Sequence, residues 1–205
     1  MKIQPANHRL GVLLSGRGSN FEAIADRITS GKLKAEIAVV VSNVESAPGL
    51  ERARARGLPS VYIPSRRRPR EEFDSEVIEV LRKCDVSLVV LAGFMRILSH
   101  VFLDAFPYGI LNIHPSLLPS FPGMDVQRQA LEYGARFSGC TVHFASDALD
   151  GGPIVLQAPV PILDNDTVET LSERILKEEH RIYPEAIDLV LSGRCRVEGR
   201  RVLIK

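Results

Sequence analysis

The stretch Leu111-Asn112-Ile113-His114-Pro115-Ser116-Leu117-Leu118-Pro119 is the part of this sequence that decides its fold. Ile110–Ile113 is a short apolar run that predicts a buried strand, and Pro115 must end that strand because proline has no backbone N–H. Side chains two residues apart on a strand point to the same side, so Asn112 and His114 should project together at its carboxyl end, where open α/β sheets bind ligands. An amide and an imidazole aimed at one point suit acyl chemistry. The alternative is an asparagine in a turn and a histidine bonded to a backbone carbonyl.

Composition predicts an ordinary globular protein. The chain has 205 residues, of which 45% are hydrophobic and 25% charged, with a net charge of +1. This length can bury a sizeable core, and the near-neutral charge argues against a nucleic-acid partner. No apolar run is long enough for a signal peptide or a membrane span, so we expect no membrane partner. Cys84, Cys140 and Cys195 lie far apart without a C-x-x-C motif, which favours free thiols and a cytoplasmic location.

The hydrophobic periodicity changes between the two halves of the chain. The first half alternates strands and helices, which predicts a parallel sheet, whereas the second half contains hairpin-like strand pairs. We therefore predict an α/β fold with a doubly wound, mostly parallel sheet, extended by antiparallel strands in the C-terminal half. The predicted strands are Arg9–Leu14, Ala35–Ser42, Ser60–Ile63, Val86–Ala92, Ile110–Ile113, Gly139–Ala145 and Ile154–Ala158, with a hairpin at Arg194–Ile204. The predicted helices are one beginning near Asn20, then Gly49–Arg56, Glu71–Cys84, Val126–Tyr133 and Thr167–Leu191.

The first predicted strand ends in a glycine-rich turn, Ser15-Gly16-Arg17-Gly18-Ser19-Asn20. A strand, such a turn and a helix N-terminus together form an anion cradle of backbone N–H groups. The turn lacks the third glycine of a dinucleotide fingerprint and the Lys-Ser/Thr pair of a P-loop, so a single phosphate monoester fits it best. A local alternative is a capping box in which Ser19 and Glu22 only satisfy the helix end.

Two further stretches have both a structural and a functional interpretation. The run Arg66-Arg67-Arg68-Pro69-Arg70 is either a solvated loop or a clamp for an acidic ligand tail, since arginine binds carboxylates through two hydrogen bonds. Met95, Ile97 and Leu98 follow the predicted strand Val86–Ala92. These side chains either belong to the core or line a flat apolar pocket at the carboxyl end of the sheet.

Four segments resemble, in order, the folate-dependent phosphoribosylglycinamide formyltransferase family: LLSGRGSNFEAI, VVLAGFMRILS, LNIHPSLLPSFPG and GCTVHFASDALDGGPIVLQAPVPI. The resemblance extends from about residue 10 to about residue 190. It implies a Rossmann-like formyltransferase fold, with a single domain of residues 1–205 divided into a phosphate-binding half (1–108) and a catalytic and folate-binding half (109–205). It also implies transfer of a formyl group from 10-formyltetrahydrofolate to the amino group of 5′-phosphoribosylglycinamide in de novo purine biosynthesis. The expected partners are these two small molecules, and we expect a monomer or a homodimer.

The resemblance also assigns residues to roles. Asn112, His114 and Asp150 would be catalytic, Gly18, Ser19 and Asn20 would bind the substrate phosphate, and Glu179 would contact the ribosyl glycinamide. The folate-binding residues would be Arg70, Met95, Arg96, Ile97, Leu98, Asn112, Ser146, Asp147, Ala148, Leu149 and Asp150. His143 lies on an adjoining predicted strand and could support the site. His114, His143 and Asp150 could alternatively bind a metal, but their spacing does not favour this, and we expect no metal.

The chain departs from the family after the turn Ser120–Gly123. It reads Met124-Asp125-Val126-Gln127-Arg128 where the family commonly has a histidine. The absence of this histidine puts the behaviour of the loop in question, but not the chemistry. Rival functions are a formyltetrahydrofolate hydrolase, a methionyl-tRNA formyltransferase and a non-catalytic nucleotide-binding module. We disfavour the first two because they normally carry an additional domain, and the last because all three catalytic candidates are present.

Overall fold

A computed structural model describes residues 1–205 and has six helices around one nine-stranded sheet. The strands are β1 (Arg9–Leu14), β2 (Glu36–Ser42), β3 (Ser60–Tyr62), β4 (Leu88–Leu91), β5 (Ile110–His114), β6 (Phe137–Phe144), β7 (Ile154–Pro161), β8 (Cys195–Glu198) and β9 (Arg201–Ile204). The helices are α1 (Ser19–Thr29), α2 (Pro48–Ala55), α3 (Arg70–Lys83), α4 (His100–Ala105), α5 (Val126–Tyr133) and α6 (Val168–Leu191).

The strand order is β3-β2-β1-β4-β5-β6-β7-β9-β8. Strands β3, β2, β1, β4 and β5 are parallel, and the chain order reverses between β1 and β4. Such a reversal opens a crevice at the carboxyl ends of the two strands, which is where doubly wound sheets bind ligands. The loops that follow β1 and β4 are therefore the first candidates for a binding site.

The second half of the chain extends the same sheet. Strand β6 pairs antiparallel with β5 and with β7, and the hairpin of β8 and β9 completes the sheet. The predicted mixed fold class is confirmed. The sheet continues across the predicted boundary between residues 108 and 109, since β4 pairs with β5.

Helices cover both faces of the sheet. One buried cluster includes Phe21 of α1, Leu50 of α2 and Ile182 of α6, whereas the other includes Phe73 of α3 and Phe102 of α4. The near-continuous apolar composition of β1, β2 and β4 follows from this burial on both faces. None of the six helices has the length and apolarity needed to cross a membrane.

The structure differs from the sequence prediction in a few elements. Helix α4 was not predicted, because it has six residues and buries only Phe102, which is too little for a periodic pattern. Strand β7 runs three residues beyond its predicted end, to Pro161. Pro159 and Pro161 are tolerated because β7 pairs with β9 only at Ile154 and is an edge strand beyond that point.

Candidate active site

Asn112 and His143 face each other on the neighbouring strands β5 and β6. They are directly paired in the antiparallel register, so their side chains lie on the same side of the sheet. The Asn112 Nδ2 atom lies 3.1 Å from Nε2 of His143. His143 therefore belongs to the same cluster as the predicted catalytic asparagine.

The hydrogen bonds of His143 determine which of its nitrogens carries the proton. Its Nδ1 atom lies 2.9 Å from the carbonyl oxygen of Phe144, and because a carbonyl only accepts, Nδ1 must donate. Burial lowers the pKa of His143, so the ring is neutral and Nε2 accepts a hydrogen bond from the Asn112 amide. This acceptor fixes the Asn112 amide group and leaves one of its two N–H bonds free for a ligand.

His114 lies at the end of β5 and is 5% exposed. Its Nε2 donates to the carbonyl oxygen of Phe121 at 2.9 Å, and its Nδ1 lies 3.5 Å from Oδ2 of Asp150. Both ring nitrogens therefore lie near oxygen acceptors, one of which is the carboxylate of Asp150. A proton can pass from Nε2 to a reacting atom only if Nε2 leaves the Phe121 carbonyl.

Asp150 connects the two histidines to the loop that follows β5. Its carboxylate lies 3.8 Å from His143 and accepts a hydrogen bond from the backbone N–H of Gly123 at 2.9 Å. The chain reaches this position through a tight turn, since a Cβ atom on Gly152 would lie 1.7 Å from the carbonyl oxygen of Phe144. The Asp150-Gly151-Gly152 sequence is therefore a structural requirement as well as part of the predicted motif.

The glycine-rich turn lies at the carboxyl end of β1 and leads directly into α1. The capping-box alternative was wrong: the residue before the helix is Gly18, in the left-handed conformation (φ 75°), and no side chain caps the first turn. A Cβ atom on Gly18 would lie 2.7 Å from the Cα of Gly49, so this glycine is also needed for packing. The first N–H groups of α1 and the Ser19 hydroxyl remain available for an anion.

Asn20 and Glu179 form the contact between α1 and α6. The Asn20 amide donates to the Glu179 carboxylate at 2.6 Å, in a buried environment. Burial raises the pKa of Glu179, and the hydrogen bond from Asn20 partly opposes this shift. The structure thus brings together the predicted phosphate-binding turn and the predicted glycinamide-binding residue, which are 159 positions apart.

Four of the eleven predicted folate-binding residues line a surface cavity of about 400 Å³. Arg70, at the start of α3, lines this cavity together with Ile97 and Leu98 from the loop after β4 and Asp147 from the loop after β6. Five other predicted residues are placed in the same two loops, and all but Arg96 are exposed there: Met95, Arg96, Ser146, Ala148 and Leu149.

Arg96 has a structural role that the sequence did not indicate. Its guanidinium lies 4.7 Å from the centre of the Phe73 ring and donates to the carbonyl oxygen of Ser65 at 3.3 Å. This side chain holds the loop after β4 against α3.

Ser15 also has a role that sequence reasoning missed. Its hydroxyl donates to Asn43 and accepts from the backbone N–H of Met95 at 2.9 Å, which joins the turn after β1 to the loop after β4. The only sequence signal for these contacts is the position of Ser15 at the end of a predicted strand.

No group of three or more His, Cys, Asp and Glu side chains is arranged to hold a metal ion. The contacts that organise the site are hydrogen bonds between protein groups.

The fold and this cluster indicate an enzyme that transfers a chemical group, and the sequence shows which family it belongs to. Residues 8–187 match the formyl transferase family, to which the chain belongs. The phosphoribosylglycinamide formyltransferase of Escherichia coli (strain K12) is 45% identical over 187 residues, which cover 91% of this chain and 88% of that protein. The predicted family is confirmed.

Other relatives support the same assignment. The solved structure of glycinamide ribonucleotide transformylase 1 from Symbiobacterium toebii is 53% identical and covers 97% of this chain and 94% of that chain, with a TM-score of 0.94. The trifunctional purine biosynthetic protein adenosine-3 of Gallus gallus is 47% identical over 197 residues, covering 96% of this chain. The chain spans only 20% of that protein's length.

Proposed function

We propose that this protein transfers the formyl group of 10-formyltetrahydrofolate to the amino group of 5′-phosphoribosylglycinamide, in de novo purine biosynthesis. The observation that carries the proposal is the Asn112 amide, held by His143 with one N–H free, beside the buried His114–Asp150 pair. In the reaction, a bond forms between the glycinamide nitrogen and the formyl carbon, and the bond from that carbon to N10 of the folate breaks. The proton lost by the amine is balanced by the proton that N10 gains.

Asn112 stabilises the charge that develops on the formyl oxygen. Its free N–H donates to this oxygen while the amine attacks, and its orientation needs no adjustment because His143 already holds the other N–H. A neutral His143 has no proton to spare on Nε2, so it positions the amide and does not act as an acid.

His114 and Asp150 handle charge and protons in this proposal. Asp150 orients the imidazole and stabilises its positive charge through the short distance between them. His114 assists the oxyanion and delivers a proton once its Nε2 leaves the Phe121 carbonyl. No protein nucleophile is needed, because the deprotonated glycinamide amine is itself the nucleophile.

Substrate binding uses the two ends of the crevice. The turn Gly18–Asn20 and the N-terminus of α1 bind the 5′-phosphate, and Glu179 accepts hydrogen bonds from the ribosyl glycinamide. The cavity beside Arg70 and Ile97 fits the folate, since it combines an apolar wall with a cation for a carboxylate. The folate supplies the activated formyl group.

A single assay tests this function. The purified protein is incubated with 10-formyltetrahydrofolate, with and without 5′-phosphoribosylglycinamide, and formylated product, tetrahydrofolate and free formate are measured. We expect loss of the formyl group only when the glycinamide is present, in equal amounts with formylated product. Release of formate without the glycinamide would indicate a hydrolase, and no turnover with either mixture would indicate a non-catalytic binding protein.

A further inference from the structure

Tyr183 lies in the second half of α6 and is fully buried. Its hydroxyl oxygen lies 3.0 Å from the carbonyl oxygen of Leu91, at the end of β4, and 2.9 Å from that of Leu111, in β5. Because carbonyl oxygens only accept, the hydroxyl donates its single proton to this pair. Burial raises the pKa of Tyr183 well above its ordinary value, so the hydroxyl keeps that proton. A side chain of α6 thus joins two neighbouring strands of the sheet.

The two carbonyl groups belong to the part of the sheet that carries Asn112. The register between β4 and β5 pairs Leu91 with Asn112. The Leu111 carbonyl is part of the planar peptide unit that leads into Asn112. A hydrogen bond to this carbonyl limits the rotation of the peptide plane, and with it the direction in which the Asn112 side chain leaves the strand.

Tyr183 and the Asn112 side chain lie on opposite faces of the sheet. Leu111 and Ile113 belong to the same buried cluster as Tyr183. Because side chains alternate along a strand, Asn112 points to the other face, where its amide meets His143. The Tyr183 hydroxyl therefore lies away from the group that Asn112 is proposed to bind. Its effect on Asn112 passes through the backbone of β5.

The same helix carries the residue proposed to bind the glycinamide. Glu179 lies one turn before Tyr183, and its carboxylate accepts from Asn20 at 2.6 Å. Pro184 interrupts the hydrogen bonding of α6 directly after Tyr183, because proline has no N–H to donate to the preceding turn. The contact of Tyr183 with the sheet holds the helix at this point. It therefore also fixes the distance between the Glu179 carboxylate and the strand that carries Asn112.

We propose that Tyr183 is a positioning residue for formyl transfer, whose hydroxyl holds the backbone of β5 so that the Asn112 amide is aimed at the formyl oxygen. This inference rests on the proposed function, since it concerns the same amide donor. Tyr183 gives no proton to the substrate. A hydrogen-bond donor that is slightly misplaced still allows the substrates to bind, but it stabilises the transition state less well.

The test variant is Tyr183→Phe, which keeps the ring and removes only the hydroxyl. The matched control is Ser87→Ala, which also removes one hydroxyl that donates to a backbone carbonyl, that of Asn7 at 2.6 Å, just before the amino end of β4. Each substitution is made in the unmodified protein and in the Asn112→Ala variant. We measure kcat, the KM of each substrate and thermal unfolding. Hydrogen exchange of the backbone amides of residues 110–114 reports the order of β5 without any substrate.

We expect Tyr183→Phe to lower kcat roughly tenfold, with both KM values within about twofold. In the Asn112→Ala variant the same substitution should change kcat by less than about twofold, because no amide remains to be aimed. The amides of residues 110–114 should exchange roughly tenfold faster in Tyr183→Phe. Ser87→Ala should change neither kcat nor this exchange, even where it lowers the unfolding temperature equally.

An unchanged kcat in Tyr183→Phe would overturn the inference. So would a variant that does not fold, or an equal fall in kcat with and without Asn112, since the hydroxyl would then support the fold and not the amide. A raised KM for the nucleotide with unchanged kcat would show that Tyr183 serves Glu179 instead. If the unmodified protein transfers no formyl group, the proposed function fails. Unchanged exchange of residues 110–114 in Tyr183→Phe, in a protein that does transfer it, is a failure of the present inference alone.

Discussion

The cluster of Asn112, His114, His143 and Asp150, proposed to be catalytic, and the rim of exposed loop residues proposed to bind the folate are built in opposite ways. His114 and His143 lie on strands and are 5% and 3% exposed, and every nitrogen of their rings has a polar neighbour within 4 Å. The rim lies on loops, where Met95 and Leu149 are 73% and 59% exposed. The strands thus hold in place the histidines proposed to act on the reacting atoms. The residues proposed to bind the folate lie instead on exposed loops at the end of the sheet.

This difference predicts how substitutions should divide between rate and affinity. A preorganised hydrogen-bond donor in a buried site contributes several kcal/mol to a transition state, because it needs no reorganisation. An exposed ion pair contributes about 0.2–1 kcal/mol, because water and salt screen it. Changes in the cluster should therefore lower kcat, and changes in the rim should raise KM.

The largest effect is expected for Asp150→Asn. The amide oxygen can still accept from the Gly123 backbone, so the loop should keep its position, but His114 loses its charged partner. We expect kcat to fall by roughly 10³–10⁴, as when the carboxylate that orients a catalytic imidazole is neutralised. Steady-state kinetics and folate binding by titration measure the two effects. Equal losses in binding and in kcat would instead mean that Asp150 has a structural role.

Asn112→Ala should be the next most damaging substitution. It removes the amide N–H proposed to donate to the formyl oxygen, and the loss of one oxyanion donor costs about 10²–10³ in kcat. Thermal unfolding serves as the control for folding. A kcat within threefold of the unmodified protein would remove Asn112 from the chemistry.

Glu179→Gln should weaken nucleotide binding and at the same time stabilise the protein. Loss of a charged acceptor should raise the KM for the glycinamide nucleotide about tenfold. Because burial raises the pKa of Glu179 above its ordinary 4.5, the folded state binds more protons than the unfolded state. This carboxyl therefore lowers the stability as pH rises through the interval between 4.5 and its raised pKa.

The stability of the Glu179→Gln variant is measured by urea unfolding at several pH values. It should exceed that of the unmodified protein at pH 8, and the difference should shrink toward pH 4. A variant that is less stable at pH 8 would show that the Asn20 hydrogen bond outweighs the burial of the charge.

Arg70→Ala tests the rim and should have the smallest effect. The KM for the monoglutamyl folate should rise by about twofold to fivefold, and kcat and the KM for the nucleotide should not change. Lysine should rescue the effect only in part, because it lacks the two parallel donors of arginine. A larger loss from Arg67→Ala than from Arg70→Ala would show that the assignment of the carboxylate to Arg70 is wrong.

Local sequence patterns were sufficient to predict much of the fold and the central pair of the site. The alternation of side chains on a strand places Asn112 and His114, and the apolar runs identify the parallel strands. The pairing of His143 with Asn112 depends on the register between β5 and β6, which a single sequence does not specify. The contact between Asn20 and Glu179 depends on the packing of α1 against α6, so it was accessible only through the resemblance to a family.

Sequence patterns did not predict the shortest helix or the contacts that individual side chains make. Helix α4 is held by the Asp74 carboxylate, which accepts from the Ser99 backbone at 2.6 Å, and this contact joins residues 25 positions apart. In the arginine segment, the sequence could not show that Arg68 is the structural member, because its partners Glu72 and Glu76 are defined by the start of α3.

A double-mutant cycle measures most directly whether the cluster acts as a preassembled unit. Asn112→Ala, His143→Leu and the double variant are compared by kcat at saturating substrates, with thermal unfolding as the control. If His143 acts only by holding the Asn112 amide, the double variant should be within about threefold of Asn112→Ala alone, because nothing remains for His143 to position. Losses that multiply in the double variant would contradict this, and would mean that His143 contributes to the reaction independently of Asn112.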